Sequence, residues 1–196
     1  MNFKTRNKLT IGLTGGILCG KSTALLAWKK AGACVLSCDE LLREISARPT
    51  VQKKISMLFG TTDRAILAQK VFASAPARKK LEKVLHPLVL KEIAKRLRAV
   101  KEAVRVVEVP LLFEAGLQND FDVTVALLAP QKLLAARAKK RAMSRADFLK
   151  RSKAQWPLAK KAAHADICLI NDGTVQELAR QVQVLHRALS KIYHVK

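Results

Sequence analysis

Residues 9–23 read L-T-I-G-L-T-G-G-I-L-C-G-K-S-T, and Gly15 to Ser22 within them form a complete Gly-x-x-x-x-Gly-Lys-Ser pattern. Before the pattern, Leu9, Ile11 and Leu13 alternate with Thr10, Gly12 and Thr14, as a strand would. After it, residues 23–30 (T-A-L-L-A-W-K-K) read as the first turns of a helix. Strand, glycine-rich loop and helix in that order are the setting of a phosphate-binding loop. Gly15, Gly16 and Gly20 let backbone N–H groups turn inward around an anion without a Cβ clash. Ile17, Leu18, Cys19 and Thr23 complete the cradle. The helix beginning near Gly20 points its positive end at the same place. Lys21 can reach the β- and γ-phosphates of a nucleotide, and the Ser22 hydroxyl can ligate Mg²⁺. A glycine-rich turn without a ligand is the plainer alternative, and the strand and helix flanks argue against it.

The composition fits an anionic ligand. Lys and Arg number 37 against 15 Asp and Glu, a formal net charge of +22. A field this positive attracts polyanions. Nucleic acid, a phosphorylated metabolite and a merely basic surface all fit the charge, and the loop favours the metabolite. Aromatic side chains make up 5 % of the chain and are not interleaved with the basic clusters, so no stacking platform for single strands is expected. Hydrophobic residues make up 49 %, enough for a sizeable, mainly aliphatic core. The length of 196 residues suits one α/β domain with small insertions, or at most two compact units. Cys19, Cys34, Cys38 and Cys168 lack the paired-ligand spacing of a zinc site and read as reduced thiols. No apolar run approaches a membrane span, and the opening M-N-F-K-T-R-N-K has no apolar h-region, so a soluble, cytoplasmic protein is expected.

Strand and helix signals alternate along the chain, which predicts an α/β fold with a mainly parallel sheet. Candidate strands are residues 9–13, 34–37, 104–109, 123–128 and 167–170, each expected to be covered on both faces. Residues 39–101 show helical periodicity without a good strand, too long for a simple crossover, and predict a helical insertion. Pro110 closes the third strand, and Pro130 suits the first turn of a helix after the fourth. Residues 132–161 are strongly basic, with Asp147 as their lone acid. Residues 174 to about 193 read as a last helix whose Val175, Leu178, Val182, Leu185, Leu189 and Ile192 form a core-facing stripe.

A phosphate loop alone does not choose between a kinase, an NTPase and a motor. Four further stretches do: V-L-S-C-D-E-L-L-R-E-I, L-E-K-V-L-H-P-L-V, V-E-V-P-L-L-F-E-A-G-L and A-D-I-C-L-I-N-D-G. In order, and together with the loop, they resemble the dephospho-coenzyme A kinase family from about Leu9 to Val182. The resemblance implies a P-loop kinase with a parallel five-stranded nucleotide core over about residues 8–48, 103–130 and 162–196. It further implies a helical substrate domain over about 49–102 and a basic lid over about 131–161. ATP would be the phosphoryl donor, with Mg²⁺. Dephospho-coenzyme A would be the acceptor, at its ribose 3′-hydroxyl, with no nucleic acid or membrane partner.

Residue roles follow position by position. Asp39 comes just after the second strand, at the carboxyl edge where ligands bind such sheets. It fits a base that orients or deprotonates the acceptor hydroxyl, with helix N-capping as the structural alternative. His86, followed by Pro87, resembles the family's substrate-domain signature and could contact the acceptor. Alternatively His86 stabilises a turn before a helix begun by Pro87. Leu111, Leu112 and Phe113 could wall the acceptor pocket, or simply pack in the core. Glu108 and Glu114 read as salt-bridge partners rather than metal ligands. Arg137 and Arg141, four residues apart on one helical face, could stabilise charge on the transferring phosphoryl group. Arg151 with Gln155 resembles the family's lid-closing segment. Asn171, with Gly173 beside it, resembles the position near the adenine of ATP. His164, His186 and His194 are expected at the surface.

Some positions depart from the family pattern. Leu18 and Cys19 stand where Gly and Ser are usual, and Ser37 replaces the first of two acids flanking a small residue. Cys19, beside a helix N-terminus, is expected to favour its thiolate and to be alkylated readily unless ATP protects it. Two other functions fit the chain less closely. One is a kinase of another small acceptor, such as a nucleotide, nucleoside or sugar acid. The other is a nucleic-acid-binding P-loop ATPase.

Overall fold

Leu9–Gly15 forms β1, and all seven of its residues are buried. That is the burial of a central strand, and the sheet order β2-β3-β1-β4-β5 puts it in the middle of five. The others are β2 (Cys34–Ser37), β3 (Val104–Glu108), β4 (Val123–Leu128) and β5 (Ile167–Ile170). β1 runs parallel to β3, with Leu9 beside Val104, and parallel to β4, with Ile11 beside Val123. β4 continues in parallel to β5. The computed structural model describes residues 2–195, apart from the side chain of Phe72. Three strands have the bounds that the sequence predicts. β1 runs on to Gly15 because Thr14 and Gly15 still pair with Ala126 and Leu127. β3 ends at Glu108, one residue short of the expectation.

Side chains alternate across β1 and divide the core. Leu9, Ile11 and Leu13 join Val106, Val125 and Leu127 in a cluster with α1 (Lys21–Lys30) and α9 (Val175–Ile192). Thr10, Gly12 and Thr14 point the other way. Gly12 leaves room for Leu112 and Phe121, since a Cβ there would sit 2.6 Å from Leu112 Cδ1. Thr14 faces α8 (Leu158–His164) through Lys161. β5 departs from the expectation of two covered faces: it is the edge strand, and Cys168 and Ile170 are exposed. The stripe on α9 also narrows. Leu178, Val182 and Leu189 are buried, whereas Val175 and Ile192 at its two ends are exposed, beyond the reach of the sheet.

The chain divides into two compact units, one of residues up to Leu36 and from Val100 onward, the other Ser37–Ala99. The first also contains α6 (Gln131–Lys140) and α7 (Arg145–Lys153), which precede α8. The second is all helical: α2 (Cys38–Ser46), α3 (Pro49–Phe59), α4 (Arg64–Ala73) and α5 (Ala75–Ala99). Leu41, Ile45, Val51, Ile55, Leu85, Val89, Ile93, Ala94 and Leu97 are buried apolar side chains of this unit. Asp63 caps α4, its carboxylate accepting from the N–H groups of Ala65 and Ile66 at 2.9 Å each. Arg96 pairs with Glu44 and with Glu92, and Arg48 pairs with Glu92 at 2.9 Å. Pro87 does not begin a helix, so the structural alternative for His86, a turn before such a helix, does not hold. Pro87 lies inside α5, a single helix of 25 residues. The missing N–H costs one helical bond, and the apolar contacts at Leu85, Val89 and Ile93 hold the helix through it.

Candidate active site

The loop between β1 and α1 has the shape that its glycines permit. Gly15 has φ 149°, and a Cβ there would meet the Leu127 carbonyl oxygen at 2.3 Å. Gly20 has φ 98°, and a Cβ there would lie 2.3 Å from Asn171 Nδ2. That close approach has a purpose, because Asn171 Nδ2 donates to the Cys19 carbonyl at 2.8 Å. Arg137 adds two bonds, Nη1 to the Leu18 carbonyl at 3.2 Å and Nη2 to the Asn171 carbonyl at 3.3 Å. The C=O and N–H of a peptide point opposite ways. Drawing the Cys19 carbonyl outward to Asn171 therefore directs the Gly20 N–H to the loop's inner side. Leu18 holds φ 62°, a left-handed conformation that bulky residues seldom adopt.

Lys21 opens α1 and arches back, its ammonium donating to the Gly15 carbonyl at 3.2 Å and the Gly16 carbonyl at 2.9 Å. Ser22 is exposed in the first turn of α1, which carries no acidic residue. No acidic side chain of that turn offsets the positive end of the helix. A loop whose glycines pack too closely on Leu127, Leu158 and Asn171 for any Cβ, an ammonium and an open hydroxyl together fit a nucleotide's phosphates with Mg²⁺.

Cys19 corrects an expectation. It is fully buried, and burial pushes its thiol up from the ordinary value despite the pull of Lys21. The helix N-terminus therefore does not make it a ready thiolate.

The remaining predicted residues divide between the two units. In the second, Asp39 lies in the first turn of α2 and is exposed. Ser37, not Asp39, occupies the N-cap position, so capping does not account for Asp39. His86 is exposed on α5. In the first, Pro110 to Glu114 turn away from the end of β3. Leu112 is fully buried beneath Gly12, Phe113 is buried, and Leu111 is half-buried. Phe113 stacks on Trp156 with ring centroids 6.4 Å apart. Arg141 follows α6 as its C-cap residue and is exposed, as is Arg151 on α7. Asn171 is buried, its amide committed to the loop. A cavity of about 100 Å³ separates Gly16 and Ile17 of the loop from Gln155, Trp156 and Leu158. His186 is not the surface residue expected: it packs on Trp28 at 5.5 Å, and burial lowers its pKa.

Sequence reasoning missed Lys161. It has no exposure, and its Nζ lies 3.0 Å from Glu114 Oε1, 2.5 Å from the Pro110 carbonyl and 3.5 Å from Thr14 Oγ1. Burial lowers its pKa, and the bond it donates to Glu114 opposes that shift. A signal was there: Lys161 follows Leu158 by three residues, on the inward side of a helix. Among so many lysines it looked like one more solvated cation.

A parallel sheet in this order, with a braced phosphate loop leaving its central strand, defines a P-loop kinase. The fold matches that of a shikimate kinase from Acinetobacter baumannii at 17 % identity and a TM-score of 0.53, covering 94 % of each chain. The chain belongs to the dephospho-CoA kinase family, whose model matches residues 9–177. It is 34 % identical over 191 residues to the dephospho-CoA kinase of Aquifex aeolicus, covering 92 % of this chain and 97 % of that one. A crystal structure of a Thermus thermophilus protein superposes with a TM-score of 0.83 at 32 % identity, covering 93 % of this chain and 98 % of the other.

Proposed function

We propose that this chain transfers the γ-phosphoryl group of ATP to the ribose 3′-hydroxyl of dephospho-coenzyme A, giving coenzyme A and ADP. The observation that carries the reading is the phosphate loop, braced from outside by Asn171 and Arg137, in a chain of this family. Phosphoryl transfer needs mainly positioning and charge stabilisation. The loop amides of residues 15–22 receive the phosphate tail, and Lys21 exchanges its two carbonyl partners for phosphate oxygens. The Ser22 hydroxyl would hold Mg²⁺, which would supply positive charge to offset that of the phosphates.

Asp39 orients the acceptor hydroxyl and takes its proton. Leu111 and Phe113 wall the acceptor, with Leu112 supporting them from the core, and His86 contacts its phosphate or pantetheine arm. Arg137 places its charge beside the loop, and Arg141 is the exposed guanidinium that reaches the transferring phosphoryl group. Residues 131–161 act as the lid. In this reading the surplus positive charge serves polyphosphate substrates in the cytoplasm rather than a polynucleotide. None of the described helices is long and apolar enough to cross a membrane.

The test is ADP release by the purified chain with MgATP and a panel of acceptors. Turnover is expected with dephospho-coenzyme A and not with nucleosides, nucleotides or sugar acids. Preference for another acceptor, or ATP hydrolysis stimulated by DNA or RNA, overturns the reading.

A further inference from the structure

The Lys161–Glu114 ion pair has no part in the mechanism above, yet it ties together three segments that the mechanism uses. Lys161 on α8 reaches Thr14, the residue before the phosphate loop, and Pro110, just beyond the end of β3. Thr14 Oγ1 itself donates to the Pro110 carbonyl at 3.2 Å. Glu114 Oε1 accepts from Lys161 at 3.0 Å and from the Trp156 backbone N–H at 2.7 Å. Trp156 lies in the last part of the basic segment, five residues beyond Arg151 and just before α8. Burying an ammonium is expensive, and an apolar pair of similar volume commonly holds a fold as well or better. Trp156, whose N–H the pair's carboxylate holds, lines the cavity beside Gly16 and Ile17 of the loop.

We propose that Lys161 and Glu114 are a positioning pair for phosphoryl transfer. They pin the last part of the lid, at Trp156 and Lys161, to the rim from which the phosphate loop departs. The lid then closes about a fixed pivot, and Arg141 and Arg151 meet the nucleotide in register. This inference rests on the kinase reading above. Small misplacements are costly in such a reaction, since an error of about 1 Å can cost about 10²-fold in rate.

The test uses two double variants, because removing one partner alone strands a buried charge. Lys161→Met with Glu114→Gln removes both charges and keeps an acceptor for Trp156. Lys161→Met with Glu114→Leu removes that acceptor too. Both are expected to remain folded by thermal melting. Expected kcat falls are about tenfold in the first and about 10²-fold in the second, with KM for ATP within about threefold. A non-hydrolysable ATP analogue should protect residues 150–153 from trypsin in the wild type and not in the second variant. Wild-type kcat in the folded second variant overturns the proposal. So does a loss of kcat that only matches the loss of folded protein, or undiminished protection. Wild-type turnover of dephospho-coenzyme A is measured alongside. A wild type that binds the analogue but leaves this acceptor untouched sinks the kinase reading, while the protection assay still decides on the pair.

Discussion

The phosphate loop and the helical second unit present their functional groups in opposite ways. Around the loop, Leu18 and Cys19 carbonyls are held by Arg137 and Asn171, Lys21 is bonded, and Cys19 is sealed from solvent. In the second unit, Asp39 and His86 are exposed, while the nearby charges Glu44, Glu92, Arg48 and Arg96 satisfy one another. The contrast teaches how the work is divided. Dipoles that stabilise a polyphosphate are most effective when fixed beforehand. In the proposed function the exposed groups are the ones that meet the acceptor, and they can wait for it because its own contacts orient them.

The sharpest way to break this contrast is to remove one group from each side. Asp39→Asn should lower kcat by about 10²–10⁴-fold and leave KM for ATP nearly unchanged. Lys21→Ala should lower kcat by about 10²–10³-fold and raise KM for ATP as well. Steady-state kinetics with both substrates varied separates the two patterns, and near-normal turnover in Asp39→Asn removes it from the acceptor side.

A second comparison concerns stability. Asn171→Ala leaves the buried Cys19 carbonyl without its donor and should cost about 1–3 kcal/mol in denaturant unfolding. His86→Ala, at an exposed position, should change stability by less than about 0.5 kcal/mol and act on KM for the acceptor alone. Equal stability losses would mean that the acceptor side is braced too.

A third variant acts on the loop's own strain. Leu18 holds a left-handed conformation at φ 62°, so Leu18→Gly should stabilise the protein by about 1 kcal/mol. Calorimetry checks this, and no gain would show that the side chain repays its backbone strain by packing.

The smallest effect is a pH dependence of the second unit. Hydrogen bonds from Arg48, and then Arg96, hold the Glu92 carboxyl below its ordinary value of 4.5. A carboxyl pKa lowered by folding contributes stability above that ordinary value and loses it as pH falls through the folded one. Glu92→Gln should flatten the acid limb of the stability profile by less than about 1 kcal/mol, since both arginines are partly in water.

Much of the nucleotide side was legible in sequence because it is local. Gly15 to Ser22 is one contiguous pattern, and the strands are short apolar runs whose neighbours mark their ends. Pro87 left a helix start open as an alternative, and tertiary contacts instead carry α5 through it. Cys19 misled for a related reason. Proximity to a helix N-terminus is visible in sequence, whereas its complete burial depends on segments far along the chain. Lys161 and Glu114 are 47 residues apart, and no spacing rule connects them.

By itself the sequence determined the phosphate loop, the parallel α/β class, the helical insertion and the family, because each is written in neighbouring residues or in a periodicity. Only the tertiary structure decided which polar groups are spoken for. It set Asn171 and Arg137 behind the loop, placed Asp39 in solvent, and enclosed one lysine among many with Thr14 and Glu114. Burial and partner choice depend on distance through space, and distance along the chain does not report it.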